Sequence, residues 1–160
     1  MTNDILRMWR TFCVNYESGT QTEPPEKKAK RKLKNLKLKH SRLLTCYSAL
    51  LYLLAIFSKN NTVGPTDIGG MIKLTPTQRL EWLISLSEFI DTRPLIEKLL
   101  YCYEEFLGLT DAGEEELVQR FLDKEQSRQY VESSYRFGDL MFQALTAVGK
   151  GNQFHRLLVV

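Results

Sequence analysis

The stretch that decides the fold is LLTCYSALLYLLAIFS, residues 43–58, sixteen residues without a charged side chain. A helix that crosses a membrane needs about twenty consecutive apolar residues. This stretch is shorter, and Thr45, Cys46, Tyr47 and Ser48 make its first turns polar. We therefore interpret it as the buried central helix of a helical protein. An interfacial or membrane segment is the alternative interpretation.

Helical periodicity also marks the chain on both sides of this segment. Ile5, Trp9 and Phe12 place one apolar face on a helix near the N-terminus. Beyond the central segment, Thr75 and Gln78 form a capping box, which is a helix-start signal. Besides the central helix, the predicted helices are 3–16, 75–90, 93–107, one capped by Asp111 and Glu114, and 126–148. No stretch alternates with period two for more than a few residues, so the predicted fold class is all-α.

The predicted architecture is a single domain over residues 1–160, with about six helices around the central apolar helix. A flexible, basic linker is expected at about 17–32, where adjacent prolines and small polar residues interrupt the periodicity. Residues 59–70 are expected to form a loop, because they combine glycine, proline and asparagine.

Charge is distributed unevenly along the chain. Residues 1–42 contain eleven Lys and Arg against four Asp and Glu, a net charge of +7, whereas the rest of the chain carries −4. Nine of the basic residues lie within 27–42, a run that we expect to become helical towards its end and to continue into the central helix. A basic N-terminal part followed by an acidic remainder predicts an anionic partner. That partner is nucleic acid, a nucleotide phosphate, or the acidic part of the same chain.

Residue combinations that carry out catalysis are missing from the sequence. His40 and His155 are far apart and lie in no ligand motif, and the cysteines at 13, 46 and 102 have no zinc or redox spacing. We predict no catalytic residue, no metal ligand and no cofactor in this chain. The odd number of cysteines and the charged N-terminal residues predict a cytoplasmic protein that does not interact with a membrane. Its oligomeric state stays open.

Two blocks of the sequence resemble a known group of proteins. They are NDILRMWRTFCVNYE, residues 3–17, and KAKRKLKNLKLKHSRLL, residues 28–44. Together they resemble the helical C-terminal region of bacterial nucleotidyltransferase-like proteins of the polymerase-β type. The positions that carry the resemblance are Asn3, Asp4, Arg7, Trp9, Arg10 and Thr11, followed by Lys34, Asn35, Lys37, Leu38, Ser41 and Arg42. It covers about the first 45 residues well.

The resemblance implies an accessory role. In that group a small α/β domain precedes this region, and its Gly-Ser turn and paired aspartates hold two metal ions for nucleotidyl transfer. This sequence contains none of those features. Mg²⁺ and a nucleoside triphosphate are therefore expected only if such a catalytic domain is joined, in cis or in trans. Whether the chain belongs to an enzyme stays open; if it does, the implied enzyme is a nucleotidyltransferase.

Candidate binding residues follow from the side-chain chemistry of the two blocks. Arg7 and Arg10 lie about one turn apart on a predicted helix and carry donors suited to phosphate or carboxylate oxygens. Asn3 and Asp4 precede them and are expected to orient them. The further candidates for phosphate or nucleic-acid binding are Lys34, Lys37 and Arg42. A solvated face with a weak ion pair is the alternative for the arginines.

The leading functional hypothesis is a non-catalytic helical domain that contacts nucleotide or nucleic-acid phosphates or packs on a catalytic domain. A stand-alone nucleic-acid-binding module that uses the basic run 27–42 is the alternative, and a structural protein–protein interaction bundle is a third. We also expect the first helix to pack Trp9 and Phe12 against the central helix, because burying such rings stabilises by about 1.5–3 kcal/mol each.

Overall fold

All regular secondary structure in the computed structural model is helical over the residues that it describes, which are 1–17, 24–152 and 155. The α-helices are α1 (Thr2–Glu17), α2 (Pro25–Lys37), α3 (Leu43–Asn60), α4 (Pro65–Lys73), α5 (Pro76–Ile84), α6 (Arg93–Thr110), α7 (Glu114–Leu122) and α8 (Lys124–Val148). A π-helical turn, Leu38–Arg42, joins α2 to α3, and a 3-10 helix, Ser87–Thr92, precedes α6. The all-α prediction is confirmed.

The central rod is the continuous helix Pro25–Asn60, made of α2, the π-helical turn and α3. Eleven of the eighteen residues of α3 are buried, and α1, α4, α5 and α8 pack around it. By length and composition alone the rod could cross a membrane, and it is the one helix in the described part of the chain that could. Most of its apolar window is buried inside the bundle, as in the core helix of a globular protein.

The predicted linker is wrong from Pro25 onward, because these residues form α2. Ala29, Leu33 and Leu36 recur at four- and three-residue steps and are almost fully buried. They pack in a cluster with Leu117, Val118 and Phe121 of α7. Burial of this narrow apolar face holds the lysine-rich segment in a helix. Residues 18–23 of the predicted linker lie outside the described residues.

The predicted loop at 59–70 is also partly wrong, because α4 begins at Pro65. The backbone N–H of Gly64 donates to Oδ2 of Asp67 at 2.8 Å, which stabilises the first turn. Within the helix, a Cβ on Gly70 would lie 3.0 Å from the Tyr52 hydroxyl. The second glycine of the pair therefore serves close packing against α3, and the pair does not break the helix.

Helix α5 begins as predicted and ends early. The Gln78 N–H donates to Oγ1 of Thr75 at 3.3 Å, and the Thr75 N–H donates to Oε1 of Gln78 at 2.8 Å. The predicted continuation to residue 90 is wrong, because Leu86 adopts an extended conformation and the 3-10 helix follows it.

The end of α6 and the start of α7 also differ from the prediction. Helix α6 continues past Gly108 to Thr110, whose hydroxyl donates to the carbonyl oxygen of Phe106 at 2.8 Å. The N-cap of α7 is Gly113, which makes no side-chain capping hydrogen bond, so the predicted cap at Asp111 is wrong.

His40 lies between the two apolar clusters of the bundle. The larger cluster surrounds α3 and includes Phe137, and the smaller one joins α2 to α7 and includes Phe106. The His40 ring is fully buried and stacks on both, with centroids 4.4 Å from Phe106 and 4.9 Å from Phe137. The π-helical turn thus places a polar ring where the two clusters meet.

The Leu36 hydrogen bond of His40 fixes which ring nitrogen carries the proton in the neutral ring. Its Nδ1 lies 3.0 Å from the carbonyl oxygen of Leu36, which can only accept, so Nδ1 carries the proton. Its Nε2 then accepts from the Ser133 hydroxyl at 3.4 Å. Burial lowers the pKa of His40 from 6.5 to about 4, with smaller contributions from Arg136 and Lys39 in the same direction and an opposing one from the Leu36 hydrogen bond.

Replacing His40 with leucine should reduce the loss of stability in acid. Unfolded His40 binds a proton below pH 6.5, whereas folded His40 binds one only below about pH 4. Stability is therefore lost as the pH falls through this window, by about 2 kcal/mol between about pH 7.5 and 5. Urea unfolding at both pH values measures this loss of stability in the wild type and in His40→Leu. Equal losses in the wild type and His40→Leu would contradict a neutral, buried His40.

Candidate phosphate-binding groove

A basic groove lies between α1 and α2 and has a volume of about 550 Å³. Helix α1 forms one wall, and α2 with the π-helical turn forms the other. The residues that line it are Phe12, Asn15, Tyr16, Lys27, Lys30, Arg31, Lys34, Lys37, Leu38 and Arg42. Six of these ten carry a positive charge and, among the described residues that line the groove, none is a carboxylate, so this lining favours an anion.

Helical periodicity explains why so many cations share one wall. Lys27, Lys30, Lys34 and Lys37 are separated by three or four residues, so they form one stripe along α2. The apolar stripe of the same helix is buried against α7. Packing on α7 therefore orients the lysine stripe towards α1, and α2 is an amphipathic helix whose polar face is almost entirely cationic.

The other three basic residues of the run do not line the groove. Lys32 donates a hydrogen bond to Oγ of Ser127 at 2.8 Å, and the Lys39 ammonium lies 4.3 Å from the ring centroid of Tyr135. Both contacts are with α8. Lys28 is exposed on α2 and is not among the lining residues.

Arg42 closes one end of the groove through an aromatic contact. Its guanidinium carbon lies 4.5 Å from the ring centroid of Phe12. Such cation–π contacts contribute about 0.5–1 kcal/mol at exposed sites. The contact also fixes the position of the arginine, because α1 holds Phe12 against the main core.

Little negative charge in the described part of the chain offsets these cations. Lys30 lies 3.8 Å from Glu114, with both side chains more than half exposed, so the pair is weak. The other five cations have no carboxylate within 4.0 Å among the described residues. In contrast, Arg120, Arg128 and Arg136 on the acidic body each pair with a glutamate. The positive charge of the groove is thus only slightly neutralised by the described carboxylates of the same chain.

The structure brings together some of the predicted binding residues and separates others. Lys34, Lys37 and Arg42 line the groove, whereas Arg7 and Arg10 do not. Both arginines are exposed on α1, and Arg7 lies 3.6 Å from Asp4 in an exposed pair.

Asn3 and Asp4 lie at the start of α1, away from the groove. Asn3 borders a separate, largely apolar cavity of about 350 Å³ next to α3. Asp4 also accepts from the N-terminal ammonium at 2.9 Å.

The predicted packing of α1 on the central rod is confirmed. Trp9 meets Tyr47 of α3 edge-on, with ring centroids 5.7 Å apart. Trp9 and Phe12 are half-buried against the main core, and Ile5 belongs to it. This packing fixes the α1 wall of the groove relative to α2.

Sequence reasoning did not select seven of the ten lining residues as candidates for binding, and one of the seven is the apolar Leu38. Lys27, Lys30 and Arg31 belong to the predicted basic run, and their spacing from Lys34 was the signal that could have selected them. Asn15 and Tyr16 come three and four residues after Phe12 and so share its face of α1, but nothing in the sequence pairs that face with α2.

No cluster of three or more metal-ligating side chains occurs among residues 1–17, 24–152 and 155. The groove itself presents ammonium and guanidinium groups, which bind anionic oxygens as point charges or bidentate donors. Comparisons with family models, with curated proteins and with solved structures found no match to this chain.

Leu33→Ala tests whether α2 packs as described. Leu33 is 3% exposed, so its truncation should lower the free energy of unfolding by about 2–5 kcal/mol. The adjacent Lys34→Ala, on the exposed face, is the matched control and should stay within about 0.5 kcal/mol of the wild type. Urea unfolding measures both. If the two variants were equally stable, α2 would not be held by its apolar face.

Proposed function

We propose that this chain is a non-catalytic helical domain that binds the phosphate groups of a nucleic acid in the basic groove. The observation that carries the proposal is the stripe of cations on α2, only one of which has a described carboxylate partner. Clustered like charges repel one another, and a ligand that neutralises them gains affinity by releasing counterions.

The length of the stripe favours a polymer over a single nucleotide. From Lys27 to Lys37 the helix rises by about 15 Å, and Arg42 extends the row beyond α2. Cations along this whole length can be neutralised together only by an anion whose charges repeat along a chain, as the phosphates of a nucleic acid do. A triphosphate would engage a few of them and leave the others unpaired.

A cytoplasmic location is part of the same proposal. It is supported by the odd, widely spaced cysteines and by the burial of the rod's apolar half inside the bundle. Both features are typical of a globular protein in a reducing compartment.

The charge-reversal variant Lys34→Glu/Lys37→Glu tests this proposal. We expect at least a tenfold loss of affinity for a fluorescein-labelled DNA, and a slope of log affinity against log salt that is shallower by about 1.5 to 2 between about 50 and 200 mM salt. The matched control is Lys98→Glu/Lys124→Glu, which makes the same change in net charge at exposed positions on α6 and α8. Fluorescence anisotropy measures both. Equal losses in the two variants would show an effect of net charge only.

A second candidate function has a specific observation in its favour. Arg7 and Arg10 are exposed on α1, and Val14, four residues after Arg10 and seven after Arg7, lies on the same face and is 62% exposed. This face belongs to the block that resembles nucleotidyltransferase-like proteins. It would suit packing on a polymerase-β-type catalytic domain, in cis or in trans, and that domain would hold the Mg²⁺ and the nucleoside triphosphate.

Arg7→Ala/Arg10→Ala tests the second candidate in a co-expression experiment. The partner is any polymerase-β-type nucleotidyltransferase domain encoded next to this chain. The double variant should lose co-purification with that domain, whereas Lys34→Glu/Lys37→Glu should retain it, because the two faces are separate. A neighbouring gene without such a domain, or a complex unaffected by the arginine variant, would contradict the candidate.

A further inference from the structure

We infer that the ligand of the basic groove is a single-stranded nucleic acid, with its backbone along α2 and a base stacked on Tyr16 of α1. The inference rests on the proposed function and specifies its ligand. It follows from a difference between the two walls and from the concave shape of the site.

The two walls of the groove have different chemistry. The α2 wall presents cations, as a phosphate backbone requires. The α1 wall presents Phe12, Asn15 and Tyr16, which share one face of the helix. A tyrosine hydroxyl can donate to a phosphate oxygen, but an aromatic ring beside a row of cations also offers a surface on which a base can stack. A positively charged track beside aromatic side chains is the arrangement by which proteins bind single strands, because every base has a face that can stack.

Of the two rings, Tyr16 is the one placed to receive a base. The Arg42 guanidinium already covers a face of Phe12, at 4.5 Å from its centroid. Tyr16 lies one helical turn further along the same wall and is half-buried, so part of its side chain is open to solvent. Within the described ranges, no aromatic or cationic contact is made by its ring. Phe12 therefore holds Arg42 in place, and Tyr16 offers a stacking surface next to the lysine stripe.

The shape of the site opposes duplex binding. Proteins that read a duplex insert a protruding helix or ribbon into a groove about 12 Å wide. Helix α2 cannot protrude in this way, because α7 covers its apolar face and α1 borders its charged face. The cations line a groove between two helices, and a single strand that lies along them would have α1 on the side of its bases.

Tyr16→Ala tests the inference by fluorescence anisotropy. The probes are labelled oligo-dT and oligo-rU of about 12 nucleotides, and a DNA hairpin whose stem is a duplex of the same length. We expect the wild type to bind the single strands more tightly than the hairpin. Tyr16→Ala should weaken single-strand binding by about 5- to 100-fold, the range measured for base–aromatic stacking. Because oligo-dT and oligo-rU differ in the C5 methyl group as well as in the sugar, the ratio of the affinities for oligo-dU and oligo-rU assigns the sugar.

Two control variants separate stacking from folding and from charge. Tyr16→Phe keeps the ring and should retain single-strand binding. Tyr135→Ala removes an exposed tyrosine on α8, outside the groove, and should also retain it. Inorganic polyphosphate, which has charge without bases, should bind the wild type and Tyr16→Ala with equal affinity.

The outcomes distinguish this inference from the function on which it rests. If Tyr16→Ala binds as the wild type does, or if the hairpin binds more tightly than the single strands, the single-strand inference is wrong. Loss of binding in Lys34→Glu/Lys37→Glu would then still support phosphate binding. If neither the oligonucleotides nor polyphosphate bind at about 50 mM salt, both the inference and the proposed function are wrong.

Discussion

The continuity of the central rod is the constraint on which the rest of the structure depends. Its second half, α3, is buried on most sides by α1, α4, α5 and α8, so the rod cannot shift without opening the core. Its first half, α2, is a rigid extension of that core helix. The π-helical turn between them adds a residue to the turn, which rotates the face of α2 by about 100° relative to α3. His40, stacked between Phe106 and Phe137, lies at this joint and links the two apolar clusters.

This arrangement explains how a strongly basic segment becomes a well-defined surface. Isolated lysine-rich helices are marginal in water, but α2 is held at one end by α3 and along one face by α7. Its cations therefore keep fixed relative positions while staying exposed to solvent, where their mutual repulsion is screened. The opposite wall is fixed in the same way, because Trp9 anchors α1 on Tyr47 of the rod. The groove is a consequence of packing elsewhere in the bundle.

The parts of the fold that could be predicted from sequence were those with strong local signals. The uncharged run 43–58 identified the core helix, and Thr75 with Gln78 identified the start of α5. The helix over residues 25–32 was missed because lysines dominate its composition, although Ala29, Leu33 and Leu36 have helical spacing. Helix α4 was missed because two glycines suggested a loop, while the close approach of Gly70 to Tyr52 is a tertiary feature.

For the site, the basic run was visible in the sequence. The pairing of that run with Phe12 and Tyr16, and the position of Arg7 and Arg10 outside the groove, depend on how α1 packs.

Lysine footprinting tests the central claim most directly, because it reads each ammonium group separately. Acetylation of the folded protein by a soluble reagent is followed by mass spectrometry, with and without a single-stranded oligonucleotide. The account predicts protection of Lys27, Lys34 and Lys37, which line the groove, and unchanged reactivity of Lys98 and Lys124, which are exposed on α6 and α8. Uniform protection of all lysines, or protection confined to residues outside the groove, would contradict the assignment of the groove as the binding site.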